Sequence, residues 1–320
     1  LSPESKEQYN ALADAMYDQL IETIADRRKI EPDRVRQLID ESMIDGERAK
    51  RENLVDHLVD VDGLRELIAG RIGAAGGTKD SIDLLHGYGE EDRPDMDGAD
   101  NPFAFFSLLM RKPEPPSGPT VGLVYADGMI VDGRGGDGLF GSSAVGSDDI
   151  RRAMRMAERD EKVKSIVIRI NSPGGSALAS EAMWQAVRRT AAVKPVVVSV
   201  GSMAASGGYY LASASDTIYA DPTAIVGSIG VVGGKFVMGD LFGKIGVTTD
   251  TITRGRNANL FSSTQPFTDE QRAIVTAWMK RTYEQFTDRV MTTRKGKIRD
   301  IDKVARGRIF LATAAQKLGM

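Results

Sequence analysis

An α/β layered domain with a mostly parallel sheet, preceded by a helical segment, is the fold class that this sequence predicts. Three observations predict it. Between positions 120 and 220, short apolar runs alternate with helix-patterned stretches, the order that places helices across a parallel sheet. Two of those runs, Ser165–Ile170 and Pro195–Val200, lead into turns built from glycine and other small residues. Residues 1–70, by contrast, carry helical spacing.

Residues 7–28 read as an amphipathic helix, with Leu12, Met16, Leu20 and Ile24 recurring every four positions. Ser2-Pro3-Glu4-Ser5 ahead of it supplies capping chemistry and a proline suited to a first turn. Shorter helical pieces follow over 33–70. Positions 71–101 turn polar and glycine-rich, and Lys112-Pro113-Glu114-Pro115-Pro116-Ser117-Gly118-Pro119 is a second break, so 71–118 reads as a connector. Beyond it the pattern gives strands at 120–125, 129–131, 163–170, 195–200 and 217–220, and helices at 148–159, 176–191 and 206–214.

The chain also repeats itself. At an offset of 266, Ser2 meets Thr268, Glu4 meets Glu270, Tyr17 meets Tyr283, Gln19 meets Gln285 and Leu20 meets Phe286. Ile24 meets Val290, Arg28 meets Arg294, Lys29 meets Lys295, Leu38 meets Val304 and Ala49 meets Ala315. Residues 1–54 thus read as a diverged, ungapped copy of 267–320, and 1–70 as the tail of an earlier domain of the same kind.

Composition narrows the function classes. Of 320 residues, 41% are hydrophobic and 27% charged, and the formal charge of −3 provides no basic field for nucleic acid. With no cysteine there are no disulfides and no thiolate metal sites. No apolar run is long enough to span a bilayer. Phe103–Met110 is apolar but short, and reads as linker packing, with contact to membrane or a neighbouring subunit as the alternative. Gly133-Arg134-Gly135-Gly136-Asp137-Gly138 fits a dinucleotide fingerprint only weakly, because the next helix starts well after its last glycine; a mobile loop is the better reading. The two histidines, His57 and His86, lie outside the α/β part, against a Ser-His-Asp triad. Arg294, Lys295 and Lys297 read as a solvated basic helix end; Lys235 and Lys244 are candidates for a compensating base, with a solvated face the better reading of each.

The candidate nucleophile is Ser206, in Ser202-Met203-Ala204-Ala205-Ser206-Gly207-Gly208-Tyr209-Tyr210. A serine at a strand-to-helix turn, facing the Gly174-Gly175 turn of Asn171-Ser172-Pro173-Gly174-Gly175-Ser176, combines a nucleophile with backbone amides placed to hold an oxyanion. A helix-capping serine in a small-residue packing site is the plainer alternative.

Those two motifs, with Ala224-Ile225-Val226-Gly227-Ser228-Ile229-Gly230-Val231 in the same order and spacing, resemble the signal peptide peptidase (SppA) family, bacterial serine proteases with a Ser–Lys dyad on a crotonase-like (Clp protease-like) fold. The resemblance is strong over 119–320; residues 1–118 are similar to the end of the first repeat and the linker of the long, tandem form. It implies that Ser206 is the nucleophile, that Gly174, Gly175 and Gly207 hold the oxyanion, and that Ser228 supports the general-base lysine. At the place of the short form's lysine, in Arg254-Gly255-Arg256-Asn257-Ala258-Asn259, this chain has Ala258. In the tandem form the first repeat gives the lysine; at the repeat offset that position falls about eight residues before Leu1, so the chain as it stands reads as catalytically incomplete. The resemblance further implies signal peptides and unfolded apolar segments as substrates, no cofactor, a homo-oligomer, and a place at the outer face of the bacterial inner membrane through an N-terminal anchor. Two other classes fit the same fold: a pseudoprotease or scaffold, and a crotonase-type acyl-CoA enzyme.

Overall fold

The computed structural model describes residues 1–72, 118–137 and 143–320. Helix α1 (Pro3–Arg28) starts where the Ser2 side chain accepts from the Ser5 N–H and Pro3 occupies the first turn, and stops at Lys29, which turns left-handed at φ 54°. Helices α2 (Pro32–Glu41), α3 (Gly46–Arg51) and α4 (Val61–Ile72) follow; Asp45 caps α3 by accepting from the Arg48 N–H. The buried residues here are Ile21, Val35, Leu38 and Ala69. The four-residue stripe expected to face inward does not: Leu12, Met16 and Leu20 are 55%, 65% and 49% exposed. Helix α1 docks through its polar flank, with Asn10 and Asp14 bonded to Arg254, and that contact leaves the stripe uncovered.

The α/β part runs β1 (Thr120–Asp127), β2 (Met129–Val131), β3 (Gly136–Asp137), β4 (Ser143–Gly146), α5 (Ser147–Arg159), β5 (Val163–Ser172), α6 (Ala177–Ala191), β6 (Val196–Ala205), α7 (Gly207–Ala212), β7 (Ile218–Ala220) and β8 (Ile225–Gly227). It continues with α8 (Gly239–Lys244), α9 (Asp269–Arg294), α10 (Ile301–Val304), β9 (Ile309–Leu311) and α11 (Ala312–Lys317). The main sheet has the order β1-β5-β6-β8-β9, with β7 also on β6; only the β8–β9 pair is antiparallel. A small second sheet has the order β2-β4-β3. Ile166, Ile168 and Ile170 alternate inward along β5 and meet Val198 and Val200 of β6, with Met154, Met183, Val187 and Leu211 from the helices sealing that face. The opposite face of the edge stays open, with Val121, Leu123 and Tyr125 of β1 exposed.

The α/β class with a mostly parallel sheet is as the sequence predicts, and the expected strands and helices recur with boundaries moved by a few residues. The exception is β6, expected to stop at Val200. It continues through the small residues to Ala205, because Met203, Ala204 and Ala205 pair with Ile225, Val226 and Gly227 of β8. The described part of the glycine stretch read as a mobile loop, residues 133–137, is hydrogen-bonded to its surroundings. Gly136 and Asp137 pair with β4, the Gly133 N–H donates to Ser147 Oγ, and the Gly135 N–H donates to the Asp149 carboxylate. Gly138, His86, Phe103–Met110 and positions 73–117 of the connector lie outside the described residues.

Helices α1 and α9 are both 26 residues long, and their bounds stand at the offset of 266 read from the sequence. The bounds of α3 and α11 do the same. The N-caps of the long pair, Ser2 and Thr268, each accept from an N–H of the first turn.

Candidate active site

Ser206 is the single residue between β6 and α7, and it holds φ 51°, ψ −120°. A non-glycine residue there costs on the order of 1–3 kcal/mol, so the surroundings must enforce it. They do so from both sides: the Ser206 N–H donates to the Gly227 carbonyl at 2.9 Å, and its own carbonyl accepts from the Tyr210 N–H at 2.8 Å. The side chain makes no capping bond to α7, so the plain reading of Ser206 as a helix cap does not hold. The result is a half-buried hydroxyl presented on a sharp strand-to-helix turn.

The glycine turn after β5 lies against it. A Cβ on Gly174, at φ 104°, would stand 2.7 Å from both the Gly207 nitrogen and Ser206 Cβ. On Gly175 it would stand 2.0 Å from the Ile130 carbonyl oxygen, and on Gly207 2.4 Å from Ser180 Oγ. Only glycine permits this approach. Ile130 of β2 clamps the turn, donating to the Gly174 carbonyl and accepting from the Ser176 N–H, both at 2.9 Å. The Gly174 N–H is engaged by Ser172 Oγ at 3.2 Å. The N–H groups of Gly175 and Gly207 donate to no group among the described residues, and they lie side by side: a Cβ on Gly207 would be 3.2 Å from the Gly175 nitrogen.

Ser228 follows β8 at φ 50°, its N–H donating to the Arg308 carbonyl at 2.6 Å. One residue, Gly227, therefore links its backbone to that of Ser206. Ala258 is exposed, in a turn closed by its N–H on the Gly255 carbonyl. That turn is a seat for the N-terminal helices. The Arg256 N–H donates to the Asp40 carboxylate at 2.6 Å, Asn257 Nδ2 donates to the Asp40 carbonyl at 2.7 Å, and Arg254 Nε donates to Asp14 at 2.6 Å.

The lysines and histidine considered from sequence are engaged elsewhere or exposed. Lys235 is not a plain surface lysine: half-buried, it donates to the Leu260 carbonyl at 3.0 Å and lies over the Phe267 ring, and desolvation lowers its pKa. Lys244 is exposed. His57 is exposed and sits 3.0 Å from Arg71 Nη2. The basic helix end also differs from expectation. Arg294 is 2% exposed, and its guanidinium donates to the Ser215 and Asp216 carbonyls, because the turn after α7 leaves those oxygens without helical partners. Lys297 donates to the same Asp216 carbonyl.

Sequence reasoning missed a buried polar group behind Ser206. Glu181 of α6 accepts from Tyr210 of α7, from Arg289 of α9 and from Gln185. Burial alone would raise its pKa; the bonds from Arg289, Tyr210 and Gln185 outweigh that and hold it below the usual carboxylate value. The available signal was Glu181 itself, the one acidic residue of that helix.

A strained serine ending a parallel strand beside a glycine turn, on this layered sheet, defines a Clp protease-like domain, and residues 143–226 match the Clp protease family model. The chain belongs to peptidase family S49, whose model matches residues 1–71 and 188–320. It is 34% identical over 201 residues to "Serine protease SPPA, chloroplastic" of Arabidopsis thaliana, covering 62% of this chain and 30% of that protein. It is 34% identical over 218 residues to "Protease 4" of Salmonella typhi, covering 68% and 34%, and 35% identical over 201 residues to "Protease 4" of Haemophilus influenzae, covering 62% and 32%. The chain thus spans about a third of the length of these relatives. Among the described residues no helix is long and apolar enough to cross a membrane.

Proposed function

We propose that Ser206 is the nucleophile of a serine endopeptidase, that the Gly175 and Gly207 amides hold its oxyanion, and that an upstream repeat supplies a lysine base. The observation that carries this reading is the strained Ser206 turn abutting two unpartnered backbone amides. Lysine takes the hydroxyl proton, Ser206 Oγ bonds to the scissile carbonyl carbon, and the carbonyl oxygen becomes an anion held by the two amides. The C–N bond then breaks as the lysine returns the proton to the leaving amine, and water releases the acyl group from Ser206. Gly174 contributes the close approach of the two chains. Ser228 Oγ steadies the lysine.

Support for the upstream base comes from Ala258, which cannot act as one, and from the repeat. Two long helices and two short ones share one offset, and the family model matches the chain in two segments. Residues 1–70 are then the tail of the first repeat, 71–118 the connector, and 119–320 the second repeat. Substrates are cleaved signal peptides and other unfolded apolar segments. A pocket for small or aliphatic side chains follows from the alanines and glycines around Ser206. The setting is the outer face of the bacterial inner membrane, in a homo-oligomer.

The test is peptide hydrolysis by the full-length protein. Ser206→Ala lowers kcat by on the order of 10³- to 10⁶-fold, as does replacing the upstream lysine. Full-length protein without Ser206-dependent turnover would mark a pseudoprotease, and CoA affinity without serine labelling would mark an acyl-CoA enzyme.

A further inference from the structure

Glu181 is a buried carboxylate that the proposed chemistry does not use. It is 9% exposed and joins three helices. From α7, Tyr210 donates its hydroxyl to Glu181 Oε2 at 2.6 Å. From α9, Arg289 donates through Nε at 3.1 Å to both carboxylate oxygens and through Nη2 to Oε1 at 2.5 Å. From α6 itself, Gln185 Nε2 donates at 2.7 Å. Aromatic contacts lock the same three helices: the Tyr210 ring stacks on Phe286 with centroids 4.5 Å apart, and the Arg289 guanidinium lies 4.5 Å from the centre of the Trp184 ring.

The place of this network in the fold gives it meaning. Helix α6 begins just after Gly175, and Glu181 lies in its second turn. Helix α7 begins at Gly207, and Tyr210 lies in its first turn, with its N–H on the Ser206 carbonyl. The two unpartnered amides thus stand just before one helix and at the start of another, and Glu181 and Tyr210 tie those two helices together. A hydrophobic contact would tolerate sliding; a 2.6 Å hydrogen bond to an ionised carboxylate fixes the spacing.

We infer that Glu181 and Tyr210 are positioning residues, which set the separation of the Gly175 and Gly207 amides and hence the fit of the oxyanion between them. This rests on the Ser206 reading above. Displacing one amide by about 1 Å costs on the order of 100-fold in rate while leaving the extended substrate's contacts in place. The effect therefore falls on kcat and not on KM, and it weakens analogues of the tetrahedral intermediate more than substrates.

The experiment uses the full-length protein, a fluorogenic apolar peptide and a peptidyl aldehyde, whose adduct with serine places an oxyanion in the same cradle. Tyr210→Phe removes one hydroxyl and keeps the stack on Phe286; Glu181→Gln keeps the shape and removes the charge. The expected result is a kcat lowered about 10- to 100-fold in both. KM stays within about twofold, and aldehyde affinity falls in parallel with kcat. Rates are taken per folded molecule, so that any loss of folded protein is separated from loss of turnover. Parent-like kcat and aldehyde affinity in both variants overturn the inference, as does a loss of activity matched by the loss of folded protein. A Ser206→Ala protein run alongside separates the two readings. Undiminished turnover there removes the Ser206 assignment and the brace with it; its loss, with Tyr210→Phe and Glu181→Gln at parent rates, removes the brace alone.

Discussion

At the scale of single residues, the α/β part stores its polar chemistry in unusual environments. Ser206 and Ser228 hold positive φ, and Tyr209 and Tyr210, directly behind Ser206, are buried tyrosines. Burial raises the pKa of Tyr209 to about 12, and the nearby Arg294 only partly offsets it. Burial raises Tyr210 as well, and the Glu181 carboxylate beside it adds to the shift. In an unfolded chain both phenols ionise near pH 10. Folded-state values above the unfolded ones mean stability that is fully present below about pH 10 and is lost as pH rises through the folded values. For Tyr209 alone that loss amounts to about 2 kcal/mol by pH 12. Thermal melts between pH 9 and 12 should show stability falling as pH rises, and Tyr209→Phe should blunt that alkaline limb. An alkaline limb as steep in Tyr209→Phe as in the parent would refute the account. Glu181 acts at the other end, because its lowered pKa stabilises above its ordinary value and is lost as pH falls through the folded one.

At the scale of elements, the turn around Ala258 is a docking seat for the N-terminal helices. Arg254 Nε bonds Asp14, its Nη2 bonds the carbonyl and side chain of Asn10, and Asp250 pairs with Lys6. These contacts lie near the surface, where salt screens them within about 10 Å at 0.1 M. Arg254→Ala should therefore speed amide exchange in the first half of α1 and leave β5 and β6 protected, and added salt should mimic the change in the parent. Unchanged α1 protection would show that α1 is held by other contacts. This seat was invisible in the sequence, because contacts between positions 14 and 254 leave no periodic trace. What was legible followed from periodicity and small-residue turns: β2 to the residue, and α5, α6, β5 and β7 to within a few residues. The end of β6 was misread because Gly201-Ser202-Met203-Ala204-Ala205 has the composition of a loop, and only its pairing with β8 makes it a strand. Ser206, Gly175 and Gly207 were legible because close backbone approach demands small residues in order, whereas the Glu181–Tyr210–Arg289 group depends on three helices meeting.

At the scale of the whole molecule, the two 26-residue helices sit in unequal surroundings. On α9, Phe286 and Val290 are 3% and 0% exposed, and Phe286 stacks on Tyr210 of the α/β body. Their counterparts on α1 at the offset of 266 are Leu20, 49% exposed, and Ile24, half-buried. If α1 belongs to a first repeat built like the second, an upstream α/β body covers this stripe as the second body covers α9. Each large apolar side chain so covered contributes about 1.5–3 kcal/mol. Leu12→Gln, Met16→Gln and Leu20→Gln together should therefore be near neutral in residues 1–320 alone, where water already reaches the stripe. In the full-length protein the same changes should destabilise by several kcal/mol and lower peptidase activity, because the repeat that carries the lysine would no longer be seated against Ser206. Denaturant titrations of both forms decide the matter. Equal, small effects in the two would mean that the stripe faces water throughout and that α1 is not the tail of a first repeat packed in this way.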